Sequence, residues 1–297
     1  MAVYDSLGLF SYNEDQKKVL SLLKGKDKLC LMAAPSFVVD FDYKTFVPTM
    51  NALGFDKVTE LTFGAKITNK QYEKYIKENK QTQEKFISSV CPASVELIKN
   101  KFPELKKFLL PFDSPMGAMA KVCRKCFPKH KIVFLSPCGA KKVEASKLFD
   151  KKGKKLIEST VTFCEMKQII AKEKPKVKNK KNKFDSFYND FTKIYPLAGG
   201  LCGTLHHKDI LKEKEIISCD GFEKFSDLFK KNQDKVFFDV LFCNGGCIGG
   251  MGVASKMPLF FKKRRVISYS NFAKKEKMNG QEGLEKYYKG IDFSRKI

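Results

Sequence analysis

Arginine is nearly absent from a chain that is otherwise strongly basic. Among 297 residues there are 57 lysines and arginines against 33 acids, a formal net charge of +24, yet only Arg124, Arg264, Arg265 and Arg295 are arginine. Guanidinium is the group that reads guanine edges and clamps phosphate with two parallel bonds. A surplus made of lysine therefore argues against specific nucleic-acid binding and for a general attraction to acidic partners. No apolar run approaches the ~20 residues of a membrane span. The start, Met1–Phe10, lacks the basic stretch and long apolar run of a signal peptide. The expectation is a soluble, cytoplasmic protein with no membrane partner. Internal repeats, heptads and CxxCxxC runs are also missing, and only Cys30 precedes Cys91.

What is present is apolar mass and sulfur. The 43% hydrophobic content is enough to bury a large core. Ten cysteines in a chain expected in a reducing compartment are poor disulfide candidates. Some of them should be metal ligands or redox groups. Strand-like runs at 29–34, 56–61, 86–90, 131–135, 216–219 and 236–242 alternate with helical patterns such as 94–101 and 140–149. That alternation predicts an α/β fold of βαβ units with parallel sheets. The lysine run at 172–184 reads as a solvated loop, and the basic tail from Lys262 as a surface helix.

Three junctions carry the chemistry. In Ser88–Pro92 (SSVCP), Leu135–Glu144 (LSPCGAKKVE) and Phe242–Gly252 (FCNGGCIGGMG), a strand ends and cysteine follows where a helix or a glycine-rich turn begins. The positive end of a helix dipole favours thiolate, the form that binds soft metals. Glycine lets backbone approach a bulky inorganic ligand. In open α/β sheets, sites lie at the carboxyl ends of strands, so the three junctions can converge. Two other readings compete: buried structural cysteines, and a structural zinc site, although zinc knuckles pair their cysteines closely.

These loops resemble the catalytic, H-cluster domain of the iron-only (FeFe) hydrogenases in order and spacing. Supporting matches are Ala33–Ser36 (AAPS), Gly54–Ala65 (GFDKV…FGA), Thr162–Met166 (TFCEM) and Leu197–Gly203 (LAGGLCG). The resemblance spans roughly residues 28–255. It implies one domain over 1–297, in two lobes at roughly 28–130 and 131–255 with a basic tail at 256–297. Each lobe would hold a small parallel sheet flanked by helices, with the cofactor between the lobes. It implies that Cys91, Cys138, Cys243 and Cys247 ligate a 4Fe-4S cluster. Cys247 would also bridge to a di-iron subcluster bearing CO, cyanide and a dithiolate, built by separate H-cluster maturation proteins. Lys141 matches the lysine that hydrogen-bonds a cyanide, and Glu144 the glutamate of the second motif. Ala34, Pro35, Ser36 and Pro137 match the pocket lining, and the glycine pairs Gly199–Gly200 and Gly245–Gly246 are expected to pack against the cofactor. The reaction implied is the reversible combination of two protons and two electrons to hydrogen, with electrons from an acidic ferredoxin-like carrier.

The departures are as informative. The family's proton-relay cysteine before the first ligand is Val90 here, and Tyr72 and Tyr75 stand near the places of the relay carboxylates, with Glu73 the nearest acid. Ser136 and Leu241 replace methionines, and Ser136 is a candidate substitute in proton transfer. These changes resemble the sensory branch of the family and keep a second reading open, a hydrogen sensor or a 4Fe-4S carrier without hydrogen chemistry. Cys123 and Cys126 form a lone CxxC near His130; Cys164, Cys202 and Cys219 read as structural thiols.

Overall fold

The computed structural model describes residues 13–177, 182–187, 191–206, 209–275 and 285–297, and the backbone of one short antiparallel pair ahead of them, β1 (Val3–Tyr4) and β2 (Phe10–Ser11). Helix α1 (Glu14–Lys24) starts on a capping box in which Asn13 accepts from the amide of Gln16 and the Gln16 side chain returns the bond. The apolar run that follows becomes β3 (Lys28–Ala33). Beyond it come α2 (Phe46–Leu53), β4 (Lys57–Glu60) and the long α3 (Thr62–Asn79). The next elements are β5 (Phe86–Ile87), α4 (Pro92–Lys101), α5 (Pro115–Cys126), β6 (His130–Ser136) and α6 (Ala140–Ser146). The rest of the regular structure is β7 (Ser159–Thr162), α7 (Phe163–Glu173), β8 (Ile216–Asp220), α8 (Phe225–Lys231), β9 (Phe237–Leu241) and α9 (Leu259–Ala273).

The helix-flanked, parallel α/β architecture is as the sequence predicts. Four strands form one parallel sheet in the order β4-β3-β6-β7, and three form another in the order β5-β9-β8. Strands β3, β6 and β9 are buried along nearly their whole length, as strands covered on both faces must be. The expected division into lobes at 28–130 and 131–255 does not hold. β6 pairs with β3 over six positions, from Lys28↔His130 to Ala33↔Leu135. β5 leaves that sheet and pairs with β9, so the two lobes interleave along the chain. Local periodicity carries no information about which distant strand a strand will pair with, so the boundary between lobes is not legible in it.

Within the lysine run 172–184, residues 178–181 lie outside the described structure; the described lysines beside them, Lys172, Lys174 and Lys176, are exposed. α9 is less superficial than a surface helix. It buries Lys262, Val266, Tyr269, Ser270 and Ala273, and Val266 and Tyr269 join the first sheet's core. Tyr269 donates to Glu60 Oε1 at 2.9 Å, and Lys193, 1% exposed at its side chain, forms an ion pair with the other carboxylate oxygen of Glu60. This buried pair ties the end of β4 to α9. No described helix is long and apolar enough to cross a membrane.

Removing one member of a buried pair strands the other charge, at a cost of ~3–5 kcal/mol. Lys193→Met is expected to lower the urea unfolding midpoint accordingly, with an unchanged slope. A shift under ~1 kcal/mol would show that the hydroxyls of Tyr269 and Thr62 satisfy Glu60 without the lysine.

Candidate metal centre

The carboxyl ends of both sheets face a single cavity of ≈ 90 Å³. From the first sheet come Ala34, Pro35 and Ser36 after β3, and Phe134, Pro137 and Cys138 at the end of β6. From the second come Val90, Cys91 and Pro92 after β5, Leu241 at the end of β9 and Cys247 beyond it. Cys91 is the residue before α4, with Pro92 filling its first position. Apart from the thiols, Ser36 and Lys141, the wall is almost entirely apolar, so water is poorly held in it.

Cys243 lies behind this wall, on an open cavity of ≈ 690 Å³ that it shares with Cys138. The four thiols face one another. Burial pushes the Cys247 thiol far up, and the charges of Cys91, Cys138 and Cys243 add to that. Burial, then Cys138 and Cys91, push Cys243 to about 11. Cys138 is raised mainly by burial, against which the amides of Ala140 and Lys141 at the start of α6 work. Thiols so crowded and buried hold their protons until a cation displaces them. Among the described residues, no three His, Cys, Asp or Glu side chains converge on one point as a single ion requires. A 4Fe-4S cluster takes four thiolates on four different irons. The spread of the cysteines fits that arrangement better than a tetrahedral zinc ion.

The glycines do what the loops need. Gly246 sits at φ +68°, and a Cβ there would stand 2.6 Å from Pro196 O. This turn brings the amide of Cys247 to Pro196 O at 2.8 Å. A Cβ on Gly250 would meet Pro137 O at 2.5 Å, so the third loop lies directly on the second. Gly199, Gly200, Gly245 and Gly246 are not on the cavity wall. They permit close backbone packing around it: Gly200 against Ile194 O, Gly245 against Leu259 of α9.

Two polar groups point to a guest. Ser36 Oγ is fully buried in the wall and has no hydrogen-bond partner among the described residues. Lys141 Nζ reaches Val90 O at 3.2 Å, Ser114 Oγ at 3.1 Å and Glu144 Oε2 at 2.6 Å, which uses all three of its donors. A ligand in the cavity would take over one of the two longer bonds. Glu144 itself is off the wall, under Lys141. Burial works to raise its carboxyl, but Lys141 and Arg295 outweigh it and hold the pKa below its usual range. Ser136 is not among the residues of the cavity wall. Its hydroxyl accepts from the amide of Cys138 at 3.0 Å and donates to the carbonyl of Cys138 at 2.9 Å, so it caps its own loop.

The residue the sequence hid is Arg295. It donates to Glu144 Oε1 at 3.0 Å and to Ser89 O, and its own amide reaches Pro111 O at 3.0 Å. The only signal for it is that it is one of so few arginines. Cys123 proves to be a core thiol facing Cys30 and Thr59, and Cys126 stands half-buried a turn beyond it.

Because the folded Glu144 pKa is depressed, its pairing stabilises the fold above the ordinary carboxylate range, and this contribution disappears as pH falls through the folded value. Arg295→Ala should cost roughly 1.5–3 kcal/mol in urea unfolding at pH 7, the range for a charged hydrogen bond. The gap to the wild type should shrink below about pH 4. A gap unchanged in acid would mean that Arg295 acts by packing alone.

The chain matches the family model described as "Iron only hydrogenase large subunit, C-terminal domain" over residues 27–251. It is 24% identical over 265 aligned positions to iron hydrogenase 1 of Clostridium pasteurianum, covering 73% of this chain and 46% of that protein. The chain thus spans about half the length of that curated relative. Among solved structures it is similar in fold to the FeFe-hydrogenase HydA1 of Chlamydomonas reinhardtii, with a TM-score of 0.68 at 14% identity over 94% of both chains. A second FeFe-hydrogenase, solved to follow oxygen damage at the 2Fe subcluster of its H cluster, gives a TM-score of 0.69 at 15% identity over 94% of both chains. The match of most of the chain to the family model makes this protein a member of the iron-only hydrogenase large-subunit family.

Proposed function

We propose that the protein binds a 4Fe-4S cluster through Cys91, Cys138, Cys243 and Cys247, with a di-iron CO/cyanide/dithiolate subcluster in the adjoining cavity, and acts in hydrogen metabolism. The observation that carries this is the cavity itself: three of the four thiols, a lysine and an unpartnered serine hydroxyl meet in an otherwise apolar chamber. Such a cofactor supplies, when bound, the reversible two-electron reduction of protons to hydrogen. The chain's residues supply its surroundings. The cysteines anchor it, Lys141 presents an ammonium held by Glu144, Ser36 offers a hydroxyl, and Ala34, Pro35, Val90 and Leu241 exclude water.

Electron delivery by an acidic ferredoxin-like carrier is supported by the surface beside Cys243. Leu259 of α9 packs on the third loop, and the helix exposes Phe260 and Phe261 next to Lys263, Arg264 and Arg265. Apolar groups among cations suit an acidic partner, whose approach they steer. Assembly by maturation proteins and a cytoplasmic location belong to the same proposal.

One observation favours the second reading, a sensor or a cluster carrier without turnover. Val90 is on the cavity wall, where the family's relay places a proton carrier. Infrared spectroscopy of the anaerobically matured protein, with hydrogen evolution measured on the same sample, separates the readings. Bands of iron-bound CO and cyanide are expected. Their absence, with iron bound, would leave a 4Fe-4S carrier and remove the hydrogen chemistry. Val90→Cys is expected to raise turnover by about 10²-fold, the lower end of what a positioned proton donor contributes. No increase in a sample with those bands would show that proton supply does not limit it.

A further inference from the structure

Asp239 is a buried carboxylate without an ion-pair partner among the described residues. β9 turns Phe238 and Val240 to one side of the second sheet and Phe237, Asp239 and Leu241 to the other. That second face packs into an apolar cluster with Val90, Tyr72, Tyr195 and Cys202. Asp239 is 1% exposed, and neither carboxylate oxygen makes a well-formed hydrogen bond among the described residues. Buried carboxylates are costly unless paired, so one standing alone calls for a reason.

The groups turned toward it come from four segments. Cys202 presents its amide and thiol, and Ser88, just after β5, its hydroxyl. Tyr72 of α3 and Tyr195 of the cavity wall both feel its charge, and Tyr72 in turn feels Arg295. Both phenols are raised, by burial first, so they stay neutral and can donate but do not compensate. Burial pushes Asp239 up to about 6, against the weaker pull of Cys202 and Ser88. The group therefore exchanges its proton close to neutrality, where proton transfer is most useful.

It also has a way out. Ser218 lies opposite Asp239 in the β8–β9 register, on the outermost strand of the sheet, and is exposed. Its hydroxyl donates to Cys202 Sγ at 3.4 Å. Solvent, Ser218, Cys202 and Asp239 thus form a line ending beside Tyr195 and Leu241, two residues of the cavity wall.

We propose that Asp239 stores a proton for this cavity, exchanges it with solvent through Cys202 and Ser218, and takes it up as the four-cysteine cluster is reduced. One electron comes from the reduced external carrier, which leaves oxidised. One proton comes from solvent and forms the O–H bond of the Asp239 carboxyl. An electron added nearby in low dielectric favours the neutral carboxyl. This supplies from the second sheet the proton that Val90 cannot carry, and it rests only on the 4Fe-4S half of the proposed function.

The test has two arms. In metal-free protein, infrared difference spectra should show a protonated carboxyl band at pH 5 that fades by pH 7 and is missing in Asp239→Asn. Cys202→Ala should slow its exchange into deuterated water severalfold. In protein loaded with the 4Fe-4S cluster alone, the midpoint potential should be level below about pH 6 and fall with rising pH above it. In Asp239→Asn it should not depend on pH across that range. No titrating band overturns the proton store. A slope that persists in Asp239→Asn, or none in the wild type, overturns its coupling to the electron. Should the cluster fail to assemble, the iron content reports it, the functional reading and the coupling fall together, and the metal-free spectra still decide the store.

Discussion

The structure depends on one constraint: two parallel sheets must point their carboxyl ends at the same small volume. Parallel strands all end on one edge, so each sheet delivers its loops together. β3 and β6 bring Ala34–Ser36 and Pro137–Cys138; β5 and β9 bring Val90–Cys91 and the loop to Cys247. The contact of Gly250 with Pro137 O, and the bond of the Cys247 amide to Pro196 O, then lock the loops to one another. Slipping one strand by a residue would turn every side chain on it to the opposite face.

Charge within this frame is handled in two ways. On one side Lys141, Glu144 and Arg295 compensate each other, and the carboxyl is held ionised. On the other, Asp239 has no cation beside it among the described residues, and its proton is held more tightly. The two acids have comparable burial and opposite shifts, because one has partners of opposite sign and the other has neutral neighbours. The cavity is thus flanked by a fixed charge and an adjustable one.

Much of this was legible in the sequence. The strands of the core announced themselves because both faces are covered, so they read as unbroken apolar runs such as Lys131–Leu135. The cysteine loops were legible because thiol, proline and glycine are each demanded there by chemistry. Strand β7 (Ser159–Thr162) has no such apolar run and went unseen as a strand. The bonds of Ser136 to its own loop were not legible, because a hydroxyl beside a turn is claimed by the nearest backbone, a local competition that a motif does not reveal. Arg295 and Asp239 were invisible because their significance lies in partners roughly 150 and 40 residues away in the chain, a property of the fold and not of the segment.

The interleaving of the lobes has a consequence for how the molecule is made. β5 emerges during synthesis long before β9, the strand it must join, and the whole of β6, β7 and β8 is produced in between. Until then the first thiol loop has no sheet to anchor it, and the growing chain presents reactive sulfur and an open strand edge together. Loop closure over so long a span is slow, and exposed edges invite association with other chains. A protein organised this way asks more of the cellular machinery that shelters nascent chains than one whose lobes follow each other in sequence, and it asks it at the residues that later carry its chemistry.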